Sequence, residues 1–414
     1  MDVALRLHEA AAHFTALRFA DAEQSYRRAL EAEPGNVLAL NGLGVTLQEL
    51  GSLDQAKTLL TEALHLSPDF KEAHFNLGHV HLEAGHPESA LACIEEVLRR
   101  DPADADALAL FGIALERLGR FGDAEDYLAE AAQFSPVYGV ARMLRFSPAF
   151  LKKIDAAGPP ATPPATILRS NGGPGAIDAV TLVTSDPVYL RKYGPAFAGS
   201  FAHVARPGDL LHLHVLDSSA GIGPEARSLL QDAGVAHYCV TVEHDHRFAT
   251  GSRARSVWFT CARFIHLAAW LRAYAVPIVV LDIDAALQES VARLIDSTAD
   301  SDLGLTLRRP RRAPWLDIIA NTLVARPTEP AQAYLRLLGN YLNHFLDQGD
   351  PQWHLDQCAL YCTLRMLEAE GRAPGAQWIS DATHATVYHV GHSHDDRMAD
   401  PRYGRFAQIA KNGG

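Results

Sequence analysis

Cysteine is scarce in this 414-residue chain. The five thiols (Cys93, Cys239, Cys261, Cys358 and Cys362) include no CxxC pair and leave one over, which argues against a secreted disulfide scaffold and for a reducing compartment. Long apolar runs are missing too. The most hydrophobic stretch, residues 264–281, is broken by His266, Arg272 and Pro277, so no segment reads as a membrane span. The opening MDVALRLHEAAAHF has no basic start ahead of an apolar core, so no signal peptide is expected and a cytoplasmic location is the default. Positive charge is in deficit, with 37 basic against 49 acidic side chains, and residues 1–150 hold 12 and 23 of these. Such a surface repels phosphate backbones and anionic lipid, so neither nucleic acid nor a membrane is an expected partner. Lysine is absent from residue 193 to residue 410, leaving arginine and histidine as the cations there.

What is present first is a repeat. Ala22, Ala56, Ala90 and Ala124 recur at one period, as do Pro34, Pro68, Pro102 and Pro136, while Gly44, Gly78 and Gly112 follow Leu43, Leu77 and Phe111. Small residues let two antiparallel helices approach, large apolar ones fill the gap to the next pair, and proline stops the second helix. The pattern resembles the tetratricopeptide repeat, in four units at 3–36, 37–70, 71–104 and 105–138. The first departs, with Glu9-Ala10 in place of Leu/Phe-Gly. Residues 137–155 are expected as a capping helix, closing a domain at 1–155. The resemblance implies a groove that holds a peptide or partner protein, with Asn41, Phe75, His79, Glu83 and Arg117 as its candidates; a solvated helix face is the alternative for each.

Residues 156–176, AAGPPATPPATILRSNGGPGA, read as a stiff Pro/Gly-rich linker that lets the flanking parts move. From 177 the pattern changes. Short β-rich runs (AVTLVTSD, LLHLHVLD, HYCVTVEH, PIVVLDID) alternate with helical segments, predicting an α/β domain over 177–414 with a mainly parallel sheet and ligands at the carboxyl ends of its strands. Asp282-Ile283-Asp284 closes the last of these runs. Period-two geometry puts both carboxylates on one side, where a hard divalent ion such as Mn2+ or Mg2+ would relieve their repulsion. A helix cap plus a surface acid is the plainer alternative.

In motif order, residues 180–394 resemble the GT-A glycosyltransferases, most nearly family 8. The fold class expected is therefore an all-α tetratricopeptide solenoid followed by an α/β GT-A-like domain, a Rossmann-type nucleotide-diphospho-sugar transferase. By that resemblance Thr184, Asp186 and Tyr189 meet the nucleotide, Arg263 contacts it, and Asp282, Asp284 and His389 hold the metal. Asn321, Asp356 and Gln357 stand where the family's catalytic residues flank the donor sugar. Leu323 replaces the family's glycine, the spacing at His389-Val390-Gly391 is one residue short, and the usual late lysine is missing. Arg397, His392 and His394 are the nearest substitutes for that lysine.

The function expected is metal-dependent transfer of a sugar from a nucleotide-diphosphate donor to a protein or peptide recruited by the repeats, that is, protein glycosylation. The alternatives are a scaffold whose transferase domain has decayed, and nucleotidyl transfer on a related fold. A haloacid dehalogenase reading is disfavoured, since Ala286 stands where Thr or Val is wanted and no lysine but Lys411 follows. Zinc at His389, His392 and His394 is disfavoured by their spacing. His212 and His214, alternating with leucine, are expected as satisfied sheet histidines. His244 and His246 fall in a loop, and Arg308, Arg309, Arg311 and Arg312 form a basic cluster that is either solvated or binds phosphate. Cys358 and Cys362, one helical turn apart, are expected to be buried.

Overall fold

The computed structural model describes residues 3–160, 165–169, 176–217, 221–244, 248, 252–307, 315 and 318–389, except the side chains of 165–169, 381, 384, 385, 388 and 389. It divides into two compact units, residues 1–144 and 145–414.

The first unit is a ladder of helix pairs: α1 (Val3–Thr15) with α2 (Phe19–Ala32), α3 (Val37–Glu49) with α4 (Leu53–Leu66), α5 (Lys71–Glu83) with α6 (Pro87–Arg100), and α7 (Ala105–Arg117) with α8 (Phe121–Phe134). First helices begin at 3, 37, 71 and 105, matching the repeat read from the sequence. Ala22, Ala56, Ala90 and Ala124 are fully buried. A Cβ on Gly44, Gly78 or Gly112 would stand 2.8, 2.6 or 2.8 Å from Leu60, Ile94 or Leu128, so hydrogen at these positions sets how closely each pair packs. The turn inside a pair needs a left-handed residue. Gly51, Gly85 and Gly119 supply it in the last three repeats, and Leu17, at φ 58°, takes the same place in the first, against its steric preference.

The expected capping segment divides in two. Pro136–Met143 is a 3-10 helix of the first unit. Helix α9 (Pro148–Asp155) belongs to the second.

The second unit continues with β1 (Ala165–Arg169), β2 (Ala179–Ser185), α10 (Pro187–Val204), β3 (Asp209–Leu216), α11 (Ile222–Asp232), β4 (Tyr238–Glu243), α12 (Arg253–Ile265) and α13 (Leu267–Tyr274). Then come β5 (Ile278–Asp282), β6 (Ala285–Leu287), α14 (Ala292–Asp296), β7 (Leu303–Leu307), β8 (Ile318–Ala325), α15 (Glu329–Leu346), α16 (Leu355–Ala369), β9 (Ala376–Trp378), α17 (Ser380–Thr386) and β10 (Val387–His389). Among the described residues the main sheet runs β1-β4-β3-β2-β5-β8-β7-β9, and β6 pairs with β10 in a small antiparallel sheet. Strands β4, β3, β2 and β5 are parallel; β8 enters antiparallel between β5 and β7. The four predicted strands are thus the parallel centre of the sheet.

The expected linker is partly structure. Ala165–Arg169 pairs antiparallel with β4, and Asn340 of α15 donates to Gly158 O at 2.6 Å and Ile154 O at 2.8 Å. The remainder, 161–164 and 170–175, lies outside the described residues. Helix α9 lies against α15: Arg336 pairs with Asp155 at 2.6 Å, and the ring of Phe150 meets Tyr341 edge-on. Proline and glycine density concealed a short β-prone run, Thr166-Ile167-Leu168, that an open sheet edge could take up.

One sheet face carries Val183, Leu213, Val215, Val240, Val242, Val279 and Leu281 into an apolar core. By alternation the other face carries Thr184, His212, His214, Thr241, Glu243 and Asp282. Helix α12 enters there after Ser252 caps its first turn, the hydroxyl accepting from Arg255 N at 3.2 Å.

Candidate functional site

Strand register places the polar residues of that second face in one row. Thr241 of β4 lies opposite His214 of β3, His214 opposite Thr184 of β2, and Thr184 opposite Asp282 of β5. Leu281 lies opposite Thr322 of β8, so Asn321 sits one step further along, beside Asp282. The row stands at the carboxyl ends of the parallel strands, where helix-bearing sheets leave a crevice.

Arg263, in the last turn of α12, is the centre of this region. It is 6% exposed. One terminal nitrogen donates to Asp282 Oδ1; the other donates to Ala320 O at 3.0 Å and stands 3.8 Å from Asp356 Oδ2. The arginine expected to reach the nucleotide therefore has both terminal nitrogens engaged within the protein, tying β5, β8 and the start of α16 together. Asp356 accepts from Gln357 N at 2.9 Å. Burial pushes its carboxyl up, to about 6, against the opposing pull of Arg263 and that N–H.

Four polar atoms of this region are buried and find no partner among the described residues: Thr184 Oγ1, Arg263 Nε, Asn321 Oδ1 and Gln357 Oε1. Unsatisfied buried groups cost about 1–3 kcal/mol each, and these four are groups that water or a bound molecule would satisfy. Sequence reading named Thr184, Asn321 and Gln357 individually. Their common orphaned state appears only when the strands are assembled.

The other expected residues divide. Asp186 is the N-cap of α10, its Oδ1 accepting from Val188 N at 2.7 Å and Tyr189 N at 2.9 Å, and Tyr189 is exposed with its ring 5.3 Å from that of Tyr193. Asp284 lies in the turn between β5 and β6, and Ile283 points the opposite way, into the apolar core. His389 ends β10, opposite Ala285 of β6 and so one residue from Asp284 in register; its side chain lies outside the described residues. Arg397, His392, His394, His246 and Arg308 to Arg312 lie outside them altogether. His244 is exposed, and Leu323, Cys358 and Cys362 are buried. His212 and His214 are both hydrogen-bonded to Thr241 at 2.8 Å, as expected of satisfied sheet histidines.

Among the described residues no group of three or more His, Cys, Asp and Glu side chains is arranged to hold a metal. Asp282 and Asp284 offer hard oxygen donors from one turn, a set that suits Mg2+ or Mn2+ if a ligand supplies the remaining oxygens. In the first unit, Asn76 donates to Asn41 at 2.9 Å, and His79 lies between Gln48 and Glu83, the latter at 3.5 Å. Arg117 stands 3.7 Å from Glu116. Phe75 packs on the apolar cluster around Ile94 and Leu110.

The raised Asp356 has a stability consequence. A carboxyl whose folded pKa exceeds its ordinary 3.8 stabilises the fold below 3.8 and loses that contribution as pH rises through about 6. The difference is about 2–3 kcal/mol. Asn at 356 cannot ionise, so denaturant unfolding of Asp356→Asn between about pH 3.5 and 7.5 should lack this loss. Parallel stability curves for the two proteins would show that Asp356 does not titrate in that window.

Comparison with known proteins bears on the first unit. Residues 13–64 and 49–110 match the profile of the tetratricopeptide repeat. Protein FlbA of Caulobacter vibrioides is 33% identical over 123 residues, 29% of this chain and 20% of FlbA. A probable UDP-N-acetylglucosamine–peptide N-acetylglucosaminyltransferase, SPINDLY of Hordeum vulgare, is 32% identical over 102 residues, 25% of this chain and 11% of that protein. Among solved structures, MamA (41 to the end) from Desulfovibrio magneticus RS-1 is 22% identical, covering 34% of this chain and 81% of that one, with a TM-score of 0.32. The chain spans a fifth or less of the length of these two curated relatives. No described helix is long and apolar enough to cross a membrane. The helix pairs recurring from residue 3 and the matched span of residues 13–110 together make the first unit a solenoid of tetratricopeptide repeats.

Proposed function

We propose that the second unit is a GT-A-type glycosyltransferase domain, taking a nucleotide-diphosphate sugar and delivering the sugar to a protein or peptide that the repeats recruit. The observation that carries the reading is the gathering, at the carboxyl ends of β2 and β5 and beside β8, of Asp282, Asp356 and three orphaned polar atoms around one buried arginine whose own Nε is orphaned too. Supporting it are a parallel sheet interrupted by antiparallel β8 and an aspartate pair at the end of β5 that opens into the small β6–β10 sheet. SPINDLY, by its name a transferase acting on peptides, is similar over part of its length.

In this reading Thr184 and Asp186 border the nucleotide, with Tyr189 at the rim. Asn321 Oδ1 and Gln357 Oε1 accept hydrogen bonds from sugar hydroxyls, which would satisfy both orphans. Arg263 holds Asp282 and Asp356 in place. In the transfer the bond from the anomeric carbon to the diphosphate oxygen breaks, an acceptor oxygen bonds to that carbon, and the acceptor proton passes to solvent or base while negative charge collects on the leaving diphosphate. Asp282 and Asp284, with His389, would hold Mn2+ or Mg2+, which when bound withdraws that charge.

Calorimetry with a panel of nucleotide sugars tests this. Binding should need a divalent ion, vanish with EDTA, and weaken roughly tenfold to a hundredfold in Asp284→Ala, the range for a charge-assisted contact. Undiminished affinity in that variant would falsify the metal role, and no binding across the panel would sink the transferase reading.

A further inference from the structure

The sheet face beside the site carries a hydrogen-bonded run of five groups, Tyr274 to Glu243, with His266 in close contact at its end, that the transfer reaction does not use. Tyr274 OH lies 3.2 Å from His212 Nδ1, and His212 Nε2 lies 2.8 Å from Thr241 Oγ1. Thr241 Oγ1 lies 2.8 Å from His214 Nδ1, His214 Nε2 lies 3.0 Å from Glu243 Oε2, and that same oxygen lies 3.2 Å from His266 Nε2. Five of these residues, His212, His214, Thr241, Glu243 and His266, are buried. The indole of Trp270 fills the space between the three imidazoles, with ring centres 4.8 to 5.6 Å away.

With Glu243 ionised and the imidazoles neutral, the partners permit one proton order. An ionised carboxylate only accepts, so His214 donates through Nε2. Nδ1 of His214 is then bare and takes the Thr241 hydroxyl proton. Thr241 oxygen accepts from His212 Nε2, and the bare Nδ1 of His212 accepts from Tyr274. Every donor in the run finds an acceptor, and a single proton added at His214 breaks it. Nδ1 becomes a donor, and the Thr241 hydroxyl loses its acceptor.

His266 is the residue between α12 and α13, three positions after Arg263. Helix α15 closes on the same junction, where a Cβ on Gly339 would lie 2.7 Å from Ile265 O. On the sheet side, Glu243 Oε2 lies 3.2 Å from His266 Nε2, an ion-pair distance whose approach falls outside hydrogen-bond geometry. We propose that Glu243, with His214 and His266, is a proton-operated fastening that seats the end of α12, and Arg263 with it, against the carboxylates of the candidate site. Glu243, Thr241 and His214 are positioning residues in this scheme.

The groups that set the pH response are few. Beside the three named, β3 presents His212, α13 presents Tyr274, and α12 presents Arg263, already committed to Asp282 and Asp356. Position 165 of β1, opposite Glu243, is alanine, β2 presents Thr184, and α15 presents Asn340, whose amide bonds Ile154 O and Gly158 O. Among the described residues the two histidines alone bring a basic nitrogen within ion-pair distance of Glu243. Burial opposes a cation on His214, although Glu243 favours it, and the two histidines hold Glu243 down at about 2 although burial would raise it. Both shifts run downward, so the fold keeps this contribution at neutral pH and loses it on acidification, first below the ordinary histidine range.

The scheme rests on the transferase reading only in calling the Arg263 cluster a site. Its test reads backbone opening, so it can fail while donor binding stands, and the reverse. Hydrogen exchange of the full chain, followed by mass spectrometry over residues 258–270 with α10 as control, is the measurement. At about pH 7.5, Glu243→Gln and His266→Gln should each exchange this segment about tenfold faster than the native chain, with α10 unchanged. The native chain at about pH 5, corrected for intrinsic exchange, should lose the same protection, and the variants should lose no more. Should Glu243→Gln open everywhere, His266→Gln and the native pH series still decide. A native segment whose protection does not change with pH, or variants as protected as the native chain, would overturn the proposal.

Discussion

Arg263→Ala is expected to destabilise the second unit by about 3–5 kcal/mol, the range for stripping one partner from a buried ion pair. The substitution leaves Asp356 buried, Asp282 without its donor and Ala320 O without an N–H. Asp356 and Ala320 are buried and cannot turn to water without moving β8 or α16, whereas the Asp282 side chain is 31% exposed and keeps partial access to it. Acid should relieve part of the cost. Burial has already raised Asp356 to about 6 with the arginine present; without it the carboxyl protonates more readily, and a neutral acid costs less to bury than an unpaired charge. The variant should therefore be least stable, relative to the native chain, above neutral pH. Arg263→Lys keeps the charge but cannot fork across three acceptors, so its loss should be smaller yet clear. Denaturant unfolding at about pH 5 and 8 reads both effects. If Arg263→Ala unfolded like the native protein and lost only donor affinity, the arginine would be a ligand-binding cation and not a structural hub.

That prediction differs from the one the sequence supports, for a physical reason. Arg263 nineteen residues before Asp282 shows only that the two can meet across a helix and a strand. Whether the guanidinium faces outward or inward depends on how α12 lies on the sheet, and that is set by distant chain, including Gly339 of α15. The repeats were legible because each one repeats the same local solution, so Ala22 and its three equivalents announce the period, and neighbours in sequence are neighbours in space. The parallel strands were legible because burial on both faces produces uniform runs such as Ile278 to Leu281. Strand β1 was not. Its five residues sit among prolines and glycines, and only the free edge of β4 makes them a strand. The chain from Tyr274 to His266 was half visible, since His212 and His214 alternate with leucine, but Glu243 and His266 lie far apart in sequence and no spacing rule joins them.

The same hidden elements decide where the chain can be cut. A fragment of residues 177–414 follows the composition break but omits α9 and β1; a fragment of residues 145–414 keeps both. Phe150, Leu151 and Ile154 of α9 are buried within the second unit. Burying each is worth about 1.5–3 kcal/mol gross, and ordering the helix offsets much of this at about 1–2 kcal/mol per residue. What is not offset is the damage left behind. Asn340 loses both carbonyls it donates to, Arg336 loses Asp155, and β4 loses the strand that satisfies its outer edge from Cys239 to Glu243. A net loss of about 3–5 kcal/mol is expected, a drop of about 10 °C or more in midpoint for a unit of this size. An open β4 edge also favours association through unpaired backbone. The 177–414 fragment should thus melt early and aggregate, while 145–414 melts near the corresponding transition of the full chain by calorimetry and stays monodisperse in light scattering. Equal midpoints for the two fragments would mean that α9 and β1 are appendages. The 145–414 fragment is the one in which recruitment by the repeats can be tested, because loss of transfer to a protein acceptor there cannot be blamed on a damaged sheet.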